Sequence, residues 1–287
     1  MIQNVLIYAN SLRDVGYTYT QEVIRFLLQH GITVYVAEPN QDLLGAADNL
    51  HSDREIDKSQ LNLAIVLGGD GTMILAVHYL LGSNVPIIGV NLGHLGYMTE
   101  IEPDDFETPL AELLAGRYKV EQRMMMEAQV HHEGKEPDHT YYAVNDFVIH
   151  RDLLDSLLHV QAYVNKEYLA EFRSDGVIVS SPCGSTAYNF SAGGPILSPV
   201  ADNLILTPLC SHAMLDRSVV LRGDDELSFY LGSYTRADHA AFSIDGSQTI
   251  FVGERSWITI RKSQHYFPLA KVGKRSFYEI VQKKMRP

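Results

Sequence analysis

The sequence predicts a two-part chain, an α/β domain built on a parallel sheet followed by a mostly β domain. Short apolar runs rich in branched residues alternate with helical patterns between Asn4 and Val90, the mark of a parallel sheet with helices on its faces. Beyond Gly116 the period changes to strand-like segments separated by turn residues. At 287 residues the chain has room for about two domains at the usual roughly 150 residues each.

Asn4 to Asn10 reads as the first strand and Gln21 to Gln29 as the first helix, with Val23, Ile24, Phe26, Leu27 and Leu28 apolar and Gly31 just past its end. Ile32 to Ala37 is a second strand. Leu63 to Leu67 is too short for a helix and reads as a buried strand that delivers the chain into Gly68-Gly69-Asp70-Gly71-Thr72. A helix follows at once, with Thr72 expected as its cap, Met73, Ile74, Ala76, Val77, Leu80 and Leu81 at near-helical spacing, and Gly82 closing it. Val85 to Val90 is the next strand, and Phe106 to Ala115 a helix linking two regions. Tyr118 to His132, Tyr141 to His150, Leu158 to Val164, Tyr168 to Phe172, Val177 to Val179, Val219 to Leu221 and Leu227 to Leu231 are strand-like. Arg275 to Met285 places Phe277, Ile280 and Val281 at helical spacing, with Lys283, Lys284 and Arg286 in or after the last turn, as suits a docked amphipathic helix.

Composition narrows the function classes. A formal charge of -12 argues against a sequence-independent grip on nucleic acid or on an anionic membrane, so an anionic substrate must meet locally placed positive charge or metal. Cys183 and Cys210 are too few for a disulfide framework and no signal segment is read at the start, which makes a reducing cytoplasm the expectation. No apolar run approaches the ~20 residues that span a bilayer.

The strand, glycine loop and helix around Asp70 form a natural anion site, because glycines let the backbone approach and free amides at a helix start point at negative charge. Asp70 is out of place in a simple phosphate cradle unless it accepts a proton from an attacking group or shares a magnesium ion with the phosphates, and both roles belong to phosphoryl transfer. The loop is neither a Walker P-loop nor a Gly-x-Gly-x-x-Gly turn, and a plain Gly-Asp-Gly turn is the rival reading. Ligands of parallel sheets sit beyond the carboxyl ends of the strands, where the loop Asn91 to Met98 also falls; its His94 reads as structural more readily than catalytic. In the second part, Asn145-Asp146 ends or interrupts an apolar strand, either as a bulge or as a ligand contact, since a ribose diol suits a carboxylate acceptor and the asparagine amide can both donate and accept. Arg173-Ser174-Asp175-Gly176 reads equally as a salt-bridged turn. Ser181 to Pro195 is small and polar around Tyr188, whose face suits a flat ring; Ser185 does not sit in a Gly-x-Ser-x-Gly elbow and is not read as a nucleophile. Met124-Met125-Met126 is core filling, and His131-His132 lacks the further ligands of a metal site. From residues alone the reading reaches a nucleotide-binding phosphotransferase.

Gly68-Gly69-Asp70-Gly71-Thr72 resembles the signature of the NAD kinase family, shared more loosely with diacylglycerol and sphingosine kinases and phosphofructokinases. Asn145-Asp146, Arg173-Ser174-Asp175-Gly176 and Gly184-Ser185-Thr186-Ala187-Tyr188-Asn189 follow in the order and approximate spacing of bacterial NAD kinases, as does Gly193-Gly194-Pro195. The resemblance runs from the first strand to Asp245-Gly246-Ser247-Gln248. It implies a Rossmann-like parallel α/β domain over about 1–100 plus 268–287, a β-rich sandwich domain over about 101–267, a C-terminal helix returning to the first, and an active site between them. It implies phosphorylation of the 2′-hydroxyl of the adenosine ribose of NAD, with ATP or polyphosphate as donor and Mg2+ or another divalent cation, in a homodimer or homotetramer.

By the same resemblance Asp70 is the general base and Gly68, Gly69, Gly71 and Thr72 hold nucleotide with it. Asn145 and Asp146 match adenosine and ribose contacts. Thr186, Ala187, Tyr188 and Asn189 match the loop holding the adenine and the nicotinamide-side ribose, with Ser191 at its edge. Arg173, Asp175 and Cys183 match further contacts, some made by a neighbouring subunit, and Gln248 a late polar contact. Leu75 departs from the pattern, since many relatives carry a basic residue there; the donor's charge must be met elsewhere. A diacylglycerol-kinase-like lipid kinase and a non-catalytic dinucleotide sensor are the alternative readings.

Overall fold

The structure is a computed structural model and describes residues 2–45, 49–132, 139–152, 157–211, 215–232, 239–273 and 275–285. The chain divides into two compact units, Met1–Gln122 with Phe267–Pro287, and Arg123–Tyr266.

The first unit contains β1 (Asn4–Ala9), α1 (Thr18–Gln29), β2 (Thr33–Val36), β3 (Leu50–Ser52), β4 (Leu63–Gly68), α2 (Asp70–Tyr79), β5 (Ile87–Asn91) and α3 (Glu107–Leu114). Its strands lie parallel in the order β3-β2-β1-β4-β5. β4 is buried along its whole length, which is why its sequence is apolar throughout rather than alternating. Val23, Ile24 and Leu27 of α1 pack with Val5, Ile7, Leu63, Ile65 and Val90 in one core. α3 belongs to this unit and supplies Leu110 and Leu113 to the same core.

The second unit is built mainly of antiparallel strands. β6 (Lys119–His132) runs into it, followed by β7 (Thr140–Ala143), β8 (Asp146–Arg151), β9 (Leu158–Val164), β10 (Glu167–Ser174), β11 (Gly176–Ser180), the short α4 (Tyr188–Ser191), β12 (Asn203–Leu209), β13 (Val219–Arg222), β14 (Leu227–Leu231), β15 (His239–Ile244) and β16 (Gln248–Gly253). One sheet runs β13-β12-β11-β8-β15-β16; in the other β9 pairs with β10 and β14, and β14 with the start of β17 (Ser256–Lys271). Phe147, Ile149, Val177 and Phe242 from the first sheet share a core with Val160, Phe172, Phe229 and Ile258 from the second, so the unit is a β-sandwich.

The expected strand Tyr141 to His150 is two strands. β7 pairs with β6, whereas β8 pairs with β11 and β15, and the chain switches partner at Val144-Asn145. The end of β17 belongs to the first unit, where Leu269 pairs parallel with Ile87. α5 (Phe277–Lys284) follows, with Ser276 and Glu279 exchanging hydrogen bonds in a capping box. Arg286, expected near the helix end, lies outside the described residues.

Candidate active site

In the first unit, chemistry gathers at the carboxyl ends of β4 and β5. α2 begins at Asp70 with Gly69 as its N-cap. Thr72 is therefore not the cap: it lies inside the first turn, buried, and its hydroxyl accepts from Asn10 Nδ2 at 3.0 Å. Gly68 lies so close to that side chain that a Cβ on it would collide with Thr72 Oγ1. Gly71 faces open space. Asp70 is half-buried, and its two oxygens accept separate backbone amides, Oδ2 from Tyr97 at 2.8 Å and Oδ1 from Met98 at 2.9 Å. Gly96 is required because a Cβ there would collide with Asp70 Oδ1. The loop after β5 is thus folded around the carboxylate. Hydrogen bonds to an ionised acceptor are strong, so they hold the side chain while leaving lone pairs for a proton. His94 in this loop is exposed, and orientation of Asp70 falls to Tyr97 and Met98. Burial, then the charge of Asp70, pushes the Tyr97 phenol above its ordinary value.

In the second unit a cavity of about 560 Å³ brings together Asn145, Asp146, Asp175, Ala187 and Tyr188, five of the expected binding residues. Tyr188 is half-exposed, presenting its ring. Asn145 Oδ1 is buried with no hydrogen-bond partner among the described residues, so it is an acceptor awaiting a donor. Asp146 is buried, and burial together with the neighbouring Asp245 charge pushes its carboxyl up to about 7. Asp175 accepts from Arg151 Nε at 3.0 Å. His150 Nε2 lies 3.1 Å from Ser243 Oγ and its Nδ1 lies 3.0 Å from the Arg151 carbonyl, which fixes the ring on the cavity wall.

The remaining expected residues are not on this wall. Asn189 is fully buried and its amide is used internally, donating to the Ser185 and Pro195 carbonyls and accepting from Thr207 Oγ1. Thr186 bonds the Cys183 carbonyl at 3.3 Å, and Cys183 is buried with its sulfur 4.0 Å from the Pro199 carbonyl. Both brace the loop that presents Ala187 and Tyr188. Arg173 is exposed on β10 beside Glu171, Ser191 ends α4 in solvent, and Gln248 is exposed at the start of β16. Asp245, His150 and Arg151 line the cavity without having been singled out in the sequence. Only Asp245 carried a signal, the Asp-Gly turn it begins.

Residues 5–118 match the ATP-NAD kinase N-terminal domain and residues 144–272 the ATP-NAD kinase C-terminal domain. The chain belongs to the NAD kinase family. Among curated members it is 36% identical over 281 residues to the NAD kinase of Lachnoclostridium phytofermentans, covering 97% of each chain. It is 37% identical over 234 residues to that of Carboxydothermus hydrogenoformans, covering 81% of this chain and 82% of the other. Among solved structures it is similar to yeast NADH kinase complexed with NADH, with TM-score 0.88, 21% identity and coverage of 99% and 87%. It is also similar to an Archaeoglobus fulgidus NAD kinase in complex with ATP, with TM-score 0.74, 22% identity and coverage of 99% and 98%. Both family domains carry the features above: the Asp70 loop lies in the N-terminal match and the Asn145–Tyr188 cavity in the C-terminal one.

Proposed function

We propose that this chain is an NAD kinase that phosphorylates the 2′-hydroxyl of the adenosine ribose of NAD with ATP, giving NADP and ADP. The observation that carries the reading is the orphaned Asn145 Oδ1 beside the buried Asp146 carboxylate on a cavity wall that also bears Tyr188. An exocyclic amine satisfies the amide oxygen, a ribose diol satisfies the carboxylate, and a base stacks on the tyrosine.

In the reaction, the 2′-oxygen forms a bond to the γ-phosphorus, the bond from that phosphorus to the bridging oxygen breaks, and ADP leaves. Asp70, held by the Tyr97 and Met98 amides, takes the hydroxyl proton. Asn145, Asp146, Ala187 and Tyr188 bind the nucleoside, and Thr186 and Asn189 hold their loop. Mg2+ neutralises charge on the donor phosphates when bound. Asp70 would be the carboxylate available to a divalent cation brought with the donor phosphates. Leu75 is exposed on α2, so no side-chain cation stands at that position and polyphosphate is the second donor to test. Arg173, exposed on β10, is assigned to a site completed by a second subunit in a homodimer or homotetramer, and the compartment is the cytoplasm.

Purified protein incubated with NAD, Mg2+ and either ATP or polyphosphate forms NADP with at least one donor. Absence of NADP with both donors, while NAD binding is measurable, would overturn the reading.

A further inference from the structure

The reaction described above makes no use of Asp245 on the cavity wall, whose carboxylate accepts three backbone amides. Its Oδ2 accepts from the Val144 amide at 2.8 Å, and its Oδ1 accepts from the Asn145 and Asp146 amides at 2.7 and 3.1 Å. Its own amide donates to the Asp146 carbonyl at 3.0 Å. Three consecutive amides that a continuous strand would spend on its neighbours converge here on one side chain. The opposite side of the turn is held as well: Ser181 donates through Oγ to the Val144 carbonyl at 2.5 Å and through its amide to the Asn145 carbonyl at 2.9 Å. Asp245 adopts a left-handed backbone, φ +48°, a conformation uncommon outside glycine but tolerated by Asp and Asn. Asn145 Oδ1 meanwhile stays buried and unpartnered.

We propose that Asp245 is a positioning residue that fixes the Asn145-Asp146 turn in its binding geometry before the dinucleotide arrives. Capping this turn is what makes β7 and β8 part company, so the segment displays two polar side chains on the cavity wall instead of continuing a ladder. Turn amides can also be satisfied by water, whereas a carboxylate reaching across a sequence separation of 100 residues sets one geometry. A preformed turn spares the ordering cost that a mobile one incurs on binding, so the effect belongs in dinucleotide affinity. This inference rests on the NAD kinase reading.

The test is steady-state kinetics of Asp245→Asn, a change that keeps size, left-handed tolerance and one acceptor oxygen but removes the acceptor for the Val144 amide. Loss of a charge-assisted bond of this kind predicts a KM for NAD raised about tenfold or more, with KM for ATP and kcat within about twofold of wild type. An unchanged KM for NAD, or equal losses with both substrates, overturns the proposal. If the variant does not fold, amide exchange in the wild-type protein decides. Protection at Val144, Asn145 and Asp146 without ligand supports the proposal, and fast exchange that slows only on adding NAD overturns it. A wild-type protein that forms no NADP defeats the functional reading, whereas an active wild type with an indifferent Asp245→Asn variant defeats only the positioning role.

Discussion

Asp146 is buried beside Asp245, and the pair of carboxylates sets the sign of its response to pH. Burial first, and the Asp245 charge second, raise it from 3.8 to about 7 in the folded chain. Below about pH 4 the folded and unfolded chains both hold the proton; between about 4 and 7 only the folded chain does, so this contribution to stability is present at low pH and lost as pH rises through the folded value. Asp146→Asn mimics the protonated form and removes the dependence. The variant's unfolding free energy relative to wild type therefore rises between about pH 5 and about pH 8 in denaturant titrations; a difference constant with pH contradicts the assignment. Asp70, Asn145, Asp146 and Tyr188 were legible as candidates because each is a polar or aromatic residue where local pattern calls for something else. Asp245 was legible only as the start of an Asp-Gly turn, because the amides it accepts lie about 100 residues away and no local signal encodes that pairing. Asn189 shows the converse: its neighbours Ala187 and Tyr188 line the cavity, while its own side chain turns inward to Ser185, Pro195 and Thr207.

At the scale of elements, α5 bears on the loop that holds Asp70. The Phe277 ring lies 6.1 Å from Tyr97, Lys284 Nζ sits 4.2 Å from the centre of the Tyr97 ring, and Arg275 pairs with Glu102 at 2.9 Å. Tyr97 is the residue whose amide orients Asp70. Phe277→Ala therefore lowers kcat several-fold, by loosening an aromatic contact worth about 0.5–1.5 kcal/mol, and leaves KM for NAD unchanged. Steady-state kinetics check this; a change in KM for NAD with kcat intact contradicts it. The three-residue β3 offers too short a run to read, whereas this helix, α1 to α3, β1, β2, β4 and β5 were legible from their apolar patterns. β12 and β15 to β17 were not. Pro208 inside β12 argues against a strand, yet it pairs with Val177 in the sheet. β17 pairs antiparallel with β14 early and parallel with β5 at its end, so it has no single face pattern to read. The break between β7 and β8 falls where Asn145-Asp146 interrupts the apolar run, an interruption that reads equally as a bulge within one strand.

The molecule as a whole carries a formal charge of -12, and among its described residues no helix is long and apolar enough to cross a membrane. Recognition of an anionic substrate then rests on a few placed groups rather than on a basic surface. In the proposed reaction the nucleoside would bind at the second unit's cavity, lined by Asn145, Asp146 and Tyr188, and the base would be Asp70, held by the first unit's loop. The candidate residues could be read because each motif, Gly68–Thr72, Asn145-Asp146 and Gly184–Asn189, is short and local, while bonds that shape them, such as those to Asp245, are long-range. The most direct test is a paired measurement on wild type and Asp70→Asn, with NAD affinity by calorimetry and NADP formation under saturating NAD, ATP and Mg2+. The account predicts affinity within about twofold of wild type and turnover reduced by about 10² to 10⁴. Turnover equal to wild type, or NAD affinity lost together with turnover, would contradict it.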